Sequence, residues 1–129
     1  MSVPKILIAE DDPQLRLVLG QFLESKGFQS ICVQDGCQAM EYAVRERPDL
    51  ILLDMHMPAG DGFSVEARLQ MLPEVAMTPI IFMSSDESTQ EKLEEEGHFA
   101  AAFFHKPFVL ADLLATIRRV LKLDDAEAA

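Results

Sequence analysis

Five residues of this chain could together carry phosphoryl-transfer chemistry. Glu10 and Asp11 directly follow an apolar run, Asp54 ends another, and Ser84 and Lys106 follow two more. A nucleophilic carboxylate, a hydroxyl donor and an ammonium group that clamps a phosphate are the parts that this chemistry uses. Each residue has a structural explanation by itself, because a lone Asp or Ser after a strand usually caps a turn. Their occurrence at successive strand ends is a much stronger signal.

The three carboxylates of Glu10, Asp11 and Asp54 would need a compensating cation if they met. Two like charges about 4 Å apart repel each other by roughly 1 to 4 kcal/mol, depending on the local dielectric. Such a cluster therefore requires a bound cation or a protonated member. Hard oxygen ligands in a small, partly open site suit Mg²⁺, which binds one or two carboxylates together with a substrate phosphate. The sequence thus predicts a Mg²⁺ site, with Lys106 as a fixed positive charge opposite.

These residues can meet only if the apolar runs are strands of one parallel sheet. The run Leu50–Leu53 has four large aliphatic residues without a polar break, which is typical of a strand buried on both faces. Pro58, Gly60 and Gly62 then force a loop. Ligands of an open α/β sheet bind at the carboxyl ends of its strands, where Asp54 would lie.

A strand followed by a helix recurs five times along the chain, and right-handed crossovers then give a doubly wound, five-stranded parallel sheet with five helices. We predict strands over Lys5–Ala9, Phe28–Val33, Leu50–Asp54, Pro79–Met83 and Ala101–Phe104. We predict helices from Pro13 to Gly27, from Gly36 to about Arg47, and over Phe63–Leu72, Glu87–Gly97 and Leu110–Leu121.

The first helix has the clearest signals. Asp12 is a favourable N-cap and Pro13 suits the first helical position. An apolar stripe at helical spacing should then face the sheet; it consists of Leu15, Val18, Leu19, Phe22 and Leu23. The last helix, in contrast, has Val109 at its start, and Val cannot supply a side-chain cap.

Composition limits the classes of function. The 129 residues have the size of one domain, which we place at 1–123, followed by an acidic tail at 124–129. A formal net charge of −11 argues against direct binding to nucleic acid or to an anionic membrane. We find no signal peptide and no apolar run long enough to span a bilayer. Cys32, expected in a strand core, and Cys37 form no disulfide framework, which favours a cytoplasmic location.

Four motifs of the chain resemble the receiver domain of bacterial two-component response regulators. They are ILIAEDD at Ile6–Asp12, LDMHMPAGDG at Leu53–Gly62, MSS at Met83–Ser85 and HKPF at His105–Phe108. They occur in the family's order and spacing and cover nearly the whole chain. The resemblance implies a flavodoxin-like sheet of strand order 2-1-3-4-5, and a stand-alone protein similar to chemotaxis regulators.

The resemblance also implies a role for each acidic residue. Asp54 would accept a phosphoryl group from a histidine kinase or a histidine phosphotransfer protein. Asp11 would bind Mg²⁺ directly and Glu10 mainly through water. Asp54 and the backbone carbonyl of His56 would complete the protein ligands of the metal.

Further positions match those that respond to the phosphoryl group. Ser84 matches the switch hydroxyl, Lys106 the phosphate-binding lysine and Phe103 the aromatic switch position, which is often Tyr. His56 and Asp86 lie two positions beyond Asp54 and Ser84, and in the family these two positions flank the path of the water that removes the phosphoryl group. We expect both to tune dephosphorylation.

The resemblance implies output through a protein surface. A downstream partner would bind the face of helix four, strand five and helix five, and the same face allows a phosphorylation-dependent homodimer. The domain would not be an enzyme, although it would assist its own Mg²⁺-dependent phosphorylation and dephosphorylation. Because no room remains for an output domain after the last helix, the chain is either a stand-alone receiver or part of something longer.

Three alternatives can be weighed from the residues. A haloacid-dehalogenase-type phosphatase needs a second Asp two positions after the nucleophile, where this chain has His56. A flavodoxin-like FMN binder needs a phosphate-cradling loop after strand one, and Glu10, Asp11 and Asp12 would repel that phosphate. The alternative that stays open is a pseudo-receiver, which binds proteins but is not phosphorylated.

Overall fold

The computed structural model describes residues 3–59, 61–95 and 100–123. In these ranges five strands alternate with five helices, and the strands form one parallel sheet of order β2-β1-β3-β4-β5. The elements are β1 Lys5–Ala9, α1 Pro13–Ser25, β2 Gln29–Val33, α2 Gly36–Glu46, β3 Leu50–Asp54, α3 Gly62–Gln70, β4 Ile80–Ser84, α4 Thr89–Glu95, β5 Ala102–His105 and α5 Leu110–Leu121. The predicted doubly wound fold and its strand order are confirmed.

Alternate residues of the central strands enter two different cores, one on each face of the sheet. In β3, Leu50 and Leu52 join the cluster that includes the inward residues of α1 and α5. Ile51 and Leu53 join the cluster formed with α2, α3 and α4. Because side chains alternate across a strand, a strand covered by helices on both faces needs an apolar residue at every position. This explains the unbroken aliphatic run, whose residues are all completely buried.

Short polar side chains fix where three helices begin. The carboxylates of Asp12, Asp35 and Asp61 each accept a backbone N–H from the first turn of α1, α2 and α3. Such a bond satisfies one of the backbone donors that a helix leaves unpaired at its start. Val109 occupies the same position before α5 and makes no side-chain cap bond, as the sequence predicted.

Two expectations about burial are wrong. Val18 is 46% exposed, because α1 is rotated so that Leu19, Gly20 and Leu23 face the sheet. The small Gly20 lies against β2, where an added Cβ would be 3.2 Å from the Cys32 sulfur. Cys32 itself is exposed rather than in the core. It belongs to β2, which is an edge strand of the sheet and is covered less completely than the central strands.

Two predicted features extend outside the described residues. The first is the predicted acidic tail at 124–129. The second is the predicted end of the fourth helix at Gly97; within the described part, α4 covers Thr89–Glu95. No helix in the described ranges has both the length and the apolar character needed to cross a membrane.

Candidate functional site

The parallel register brings the ends of β1, β3, β4 and β5 to one edge of the sheet. Asp54 is paired in register with Met83, and Ser84 with His105. The backbone N–H of Lys106 donates to the carbonyl of Ser84 at 2.7 Å, which fixes the loop after β5 beside the end of β4. Four of the five predicted strands thus deliver their polar end residues to the same place.

Three carboxylates meet at this edge. Glu10, Asp11 and Asp54 each offer an oxygen, and these oxygens lie within 4.8 Å of one another. Glu10 is completely buried and Asp54 is 3% exposed, whereas Asp11 is open to solvent. Hard oxygen donors with one solvent-facing member fit a divalent cation that keeps part of its water shell. The three carboxylates predicted to bind Mg²⁺ are therefore brought together, and their oxygen donors suit that metal.

Lys106 supplies the positive charge of the pocket. Its Nζ lies 2.5 Å from Oε1 of Glu10 and 3.4 Å from Oδ2 of Asp54. Partial burial acts to lower the pKa of Lys106, but the two carboxylates outweigh burial and raise that pKa above its ordinary value. Lys106 is therefore an ammonium group throughout the neutral range, placed where it can contact an oxygen bound to Asp54.

One ammonium group does not balance three carboxylates. Burial raises the pKa of Glu10 from 4.5 to about 7. The bond to Lys106 acts to lower this pKa, and the neighbouring Asp54 acts to raise it further. Burial also raises the pKa of Asp54, although its bonds to Glu10 and the His56 N–H and the charge of Lys106 act against this. The raised values mean that the pocket binds a proton more readily than free carboxylates do. A divalent cation would take the place of that proton.

The loop after β1 is held by a residue that the sequence analysis did not select. The Arg16 guanidinium donates to the carbonyl of Glu10 at 2.9 Å and to that of Asp11 at 3.4 Å. The backbone N–H of Asp12 donates to Oε2 of Glu10 at 3.1 Å. A basic residue one turn into α1, beside an acidic loop, was the available signal. Arg16 positions the backbone from which two predicted metal ligands project.

The loop after β3 is tightly packed against Asp54, the predicted acceptor. The His56 N–H donates to Oδ1 of Asp54 at 3.1 Å, while the His56 side chain is exposed. The Gly62 N–H donates to the carbonyl of Met55 at 3.1 Å. A Cβ at Gly62 would lie 2.9 Å from the Met55 Cα, so only glycine fits there without a shift. The predicted metal ligand on the His56 backbone belongs to this closely fitted loop.

The predicted switch residue Ser84 is completely buried and contacts the start of α4. Its Oγ lies 2.8 Å from Oγ1 of Thr89, and either hydroxyl can be the donor. The same Oγ accepts the backbone N–H of Asp86 at 3.0 Å. Sequence reasoning missed Thr89, because a threonine in a polar segment gives no sign that it is buried.

Two further predicted residues lie on the loop after β4 and on β5. Asp86 is exposed, and its Oδ1 accepts both the N–H and the hydroxyl of Ser88, which lower the pKa of Asp86. Phe103 on β5 is partly buried and packs on the core cluster that includes Leu93. Phe103, Leu93 and Glu94 line a shallow groove between α4 and β5. An aromatic ring thus lies at the junction of the two elements predicted to relay the signal.

Comparison with known proteins agrees with this geometry. Residues 6–118 match the response regulator receiver domain family. The chain is 30% identical over 123 residues to sporulation initiation phosphotransferase F of Bacillus subtilis, covering 95% of this chain and 98% of that protein. It is 32% identical over 123 residues to the DNA-binding dual master transcriptional regulator RpaA of Synechocystis sp., covering 95% of this chain and 51% of RpaA. The chain therefore spans about half the length of RpaA and of similar transcriptional regulators.

Solved structures show the same fold. The chemotaxis response regulator CheY4 of Vibrio cholerae superimposes with a TM-score of 0.84 at 28% identity, covering 92% of this chain and 99% of CheY4. The receiver domain of the sensor histidine kinase PA1611 of Pseudomonas aeruginosa gives 0.84 at 30% identity, covering 94% of this chain and 99% of that domain. In that structure a magnesium ion is coordinated in the active-site cleft.

Proposed function

The chain belongs to the response regulator receiver domain family, and from this premise we propose that it is a phosphoacceptor in two-component signalling. The phosphoryl group would come from a histidine kinase or a histidine phosphotransfer protein and be carried on Asp54. The observation that supports this most directly is the cluster of Glu10, Asp11 and Asp54 with Lys106 at one sheet edge. We propose that the chain works in the cytoplasm.

The chemistry follows from what surrounds Asp54. One carboxylate oxygen attacks the phosphorus, a P–O bond forms, the P–N bond to the donor imidazole breaks, and the imidazole keeps the bonding electron pair and takes up a proton. Mg²⁺ held by Glu10, Asp11, Asp54 and the His56 carbonyl would neutralise charge on the phosphoryl oxygens. Lys106, whose Nζ lies 3.4 Å from Oδ2 of Asp54, would bind one of these oxygens. We propose that the domain is not an enzyme but assists its own phosphorylation and dephosphorylation.

Output would depend on protein contacts and not on nucleic acid. The formal charge of −11 disfavours an approach to DNA. The face made by α4, β5 and α5 is our proposed partner surface, and it would also carry any phosphorylation-dependent homodimer. Thr89 and Leu93 are the buried residues of α4. An element with so few buried anchors is suited to shift when the pocket changes.

The central test is labelling with a small phosphodonor. Incubated with Mg²⁺ and acetyl phosphate, the protein should gain one phosphoryl group in intact mass, and Asp54→Asn should gain none. Omission of the divalent metal is the matched control and should also prevent the gain. Labelling of Asp54→Asn, or labelling in excess EDTA, would contradict the assignment. A folded wild-type protein that is never labelled would instead support the pseudo-receiver alternative.

The relay to the proposed partner surface has its own test. Hydrogen exchange with and without Mg²⁺ and beryllofluoride, which mimics the phosphoryl group, should change at the pocket and across residues 87–108. It should change little over α1 and α2. Phe103 has no hydroxyl that must stay in water, so an inward position costs it less than it would cost Tyr. A response restricted to the neighbours of Asp54 would show phosphoryl uptake without a relay.

A further inference from the structure

A pair of buried hydroxyl groups joins the phosphoacceptor pocket to α4. The Oγ of Ser84 and the Oγ1 of Thr89 are 2.8 Å apart, and the two residues are 0% and 2% exposed. Thr89 is the first residue of α4, and Ser84 is the last residue of β4. The contact is thus a direct bond between the strand that ends at the pocket and the helix that we expect to move.

The bonds already made by Ser84 limit what its hydroxyl can do. Its Oγ accepts the Asp86 N–H at 3.0 Å and contacts Thr89 at 2.8 Å. The Asp54 carboxylate has other partners, namely the His56 N–H and the Lys106 ammonium group. A phosphoryl oxygen can only accept hydrogen bonds, so Ser84 must turn its single proton toward it. The geometry allows Ser84 to be the donor of its bond to Thr89, and with that assignment the turn of its proton toward a phosphoryl oxygen breaks the bond.

We propose that Thr89 is a positioning residue that holds the switch hydroxyl of Ser84 against α4 until the phosphoryl group on Asp54 competes for it. The inference rests on the proposed phosphorylation of Asp54. Phosphorylation then exchanges one buried hydrogen bond for another, and the exchange detaches the first residue of α4 from the end of β4. The resting position of α4 is set in part by this one bond.

The test replaces the hydroxyl of Thr89 while keeping its shape. Thr89→Val is nearly isosteric and equally β-branched, so it removes the bond with little change in packing or helix propensity. Without its resting partner, Ser84 should turn to the phosphoryl mimic more readily. Beryllofluoride, titrated in saturating Mg²⁺ and followed by amide NMR shifts, should bind about two- to tenfold more tightly. That range corresponds to the net free energy of one ordinary hydrogen bond.

Two controls separate positioning from packing. Thr89→Ser keeps a hydroxyl and should retain the wild-type affinity. In a Ser84→Ala background, Thr89→Val should leave the affinity unchanged, because the coupling runs through the Ser84 oxygen. Thr89→Ala also removes the hydroxyl and takes the place of Thr89→Val if the latter does not fold by circular dichroism.

The beryllofluoride affinities of these variants decide whether Thr89 positions Ser84. Tighter binding by Thr89→Val, rescue by Thr89→Ser and no effect without the Ser84 hydroxyl would together establish the inference. Unchanged or weaker binding by Thr89→Val overturns it, and so does an effect that persists in Ser84→Ala. If the wild-type protein does not bind beryllofluoride with Mg²⁺, the proposed function fails first, and the inference fails with it.

Discussion

Replacing Glu10 by Gln measures how much free energy of unfolding the protein loses when the buried carboxylate of Glu10 is ionised. Burial raises the pKa of Glu10 from 4.5 to about 7, and the bond to Lys106 only partly opposes this. A group whose pKa is raised by folding holds its proton more tightly in the folded chain than in the unfolded chain. Its contribution to stability is therefore complete below pH 4.5 and is lost as the pH rises through 7. The difference between 4.5 and about 7 corresponds to a loss of about 3 kcal/mol.

Glu10→Gln is neutral at every pH and does not suffer this loss. In excess EDTA we expect the variant to be more stable than the wild type by about 1 to 3 kcal/mol at pH 8, and the difference to shrink toward pH 5. The gain should stay below the full loss, because the amide cannot replace the charge that faces Lys106 at 2.5 Å. Urea unfolding at pH 5, 6.5 and 8, at constant ionic strength, gives these free energies.

A surface carboxylate provides the matched control. Glu46 forms a 3.4 Å ion pair with Lys5, and their side chains are 32% and 27% exposed. Glu46→Gln should change the free energy of unfolding by less than about 1 kcal/mol at each pH. Our account of the pocket would be refuted if Glu10→Gln were less stable than the wild type at pH 8. A gain that does not vary with pH would refute it equally.

Two further predictions concern the loops beside Asp54. Gly62→Ala should lower the free energy of unfolding by about 1 to 3 kcal/mol in urea, because the new Cβ would lie 2.9 Å from the Met55 Cα. Gly20→Ala is the control, since its nearest neighbour is a side-chain sulfur at 3.2 Å that can move, and equal losses in the two variants would contradict the steric explanation. His56→Ala and Asp86→Ala should change the rate at which the phosphoryl group is lost while leaving its uptake intact. Equal phosphoryl half-lives in both variants and the wild type would exclude a role in dephosphorylation.

The fold could be predicted from the sequence because its strongest signals are local. The apolar run Leu50–Leu53 specifies a strand covered on both faces, and β3 is completely buried over these residues. Asp12 and Pro13 mark the start of α1, which begins at Pro13. Such features depend on a few neighbouring residues, so they can be recognised without knowledge of tertiary contacts. The convergence of Glu10, Asp54 and Lys106 then follows from parallel strand order.

The features that could not be predicted depend on how elements pack against each other. Helical spacing places Val18 on the apolar stripe of α1, but the close approach of Gly20 to β2 rotates that residue out to solvent. Thr89 lies in a polar segment and is nonetheless buried, and its hydroxyl is paired with that of Ser84. Arg16 does not stand out by its residue type, and only the folded loop shows that its guanidinium donates to the carbonyls of Glu10 and Asp11. For Val18 and Thr89, no local pattern contains this information.

The Ser84–Thr89 bond also limits how strong a phosphorylation signal can be. A ligand shifts a conformational balance only by the difference in its interactions with the two states. Exchange of a neutral hydrogen bond, worth about 0.5 to 1.5 kcal/mol, for one to a charged phosphoryl oxygen, worth about 1.5 to 3 kcal/mol, gains at most about 2.5 kcal/mol, or less than about a hundredfold change in population. A larger response therefore requires other contacts that change with it. The partly buried Phe103, in the groove that it shares with Leu93 between β5 and α4, is an apolar group that could add to that difference.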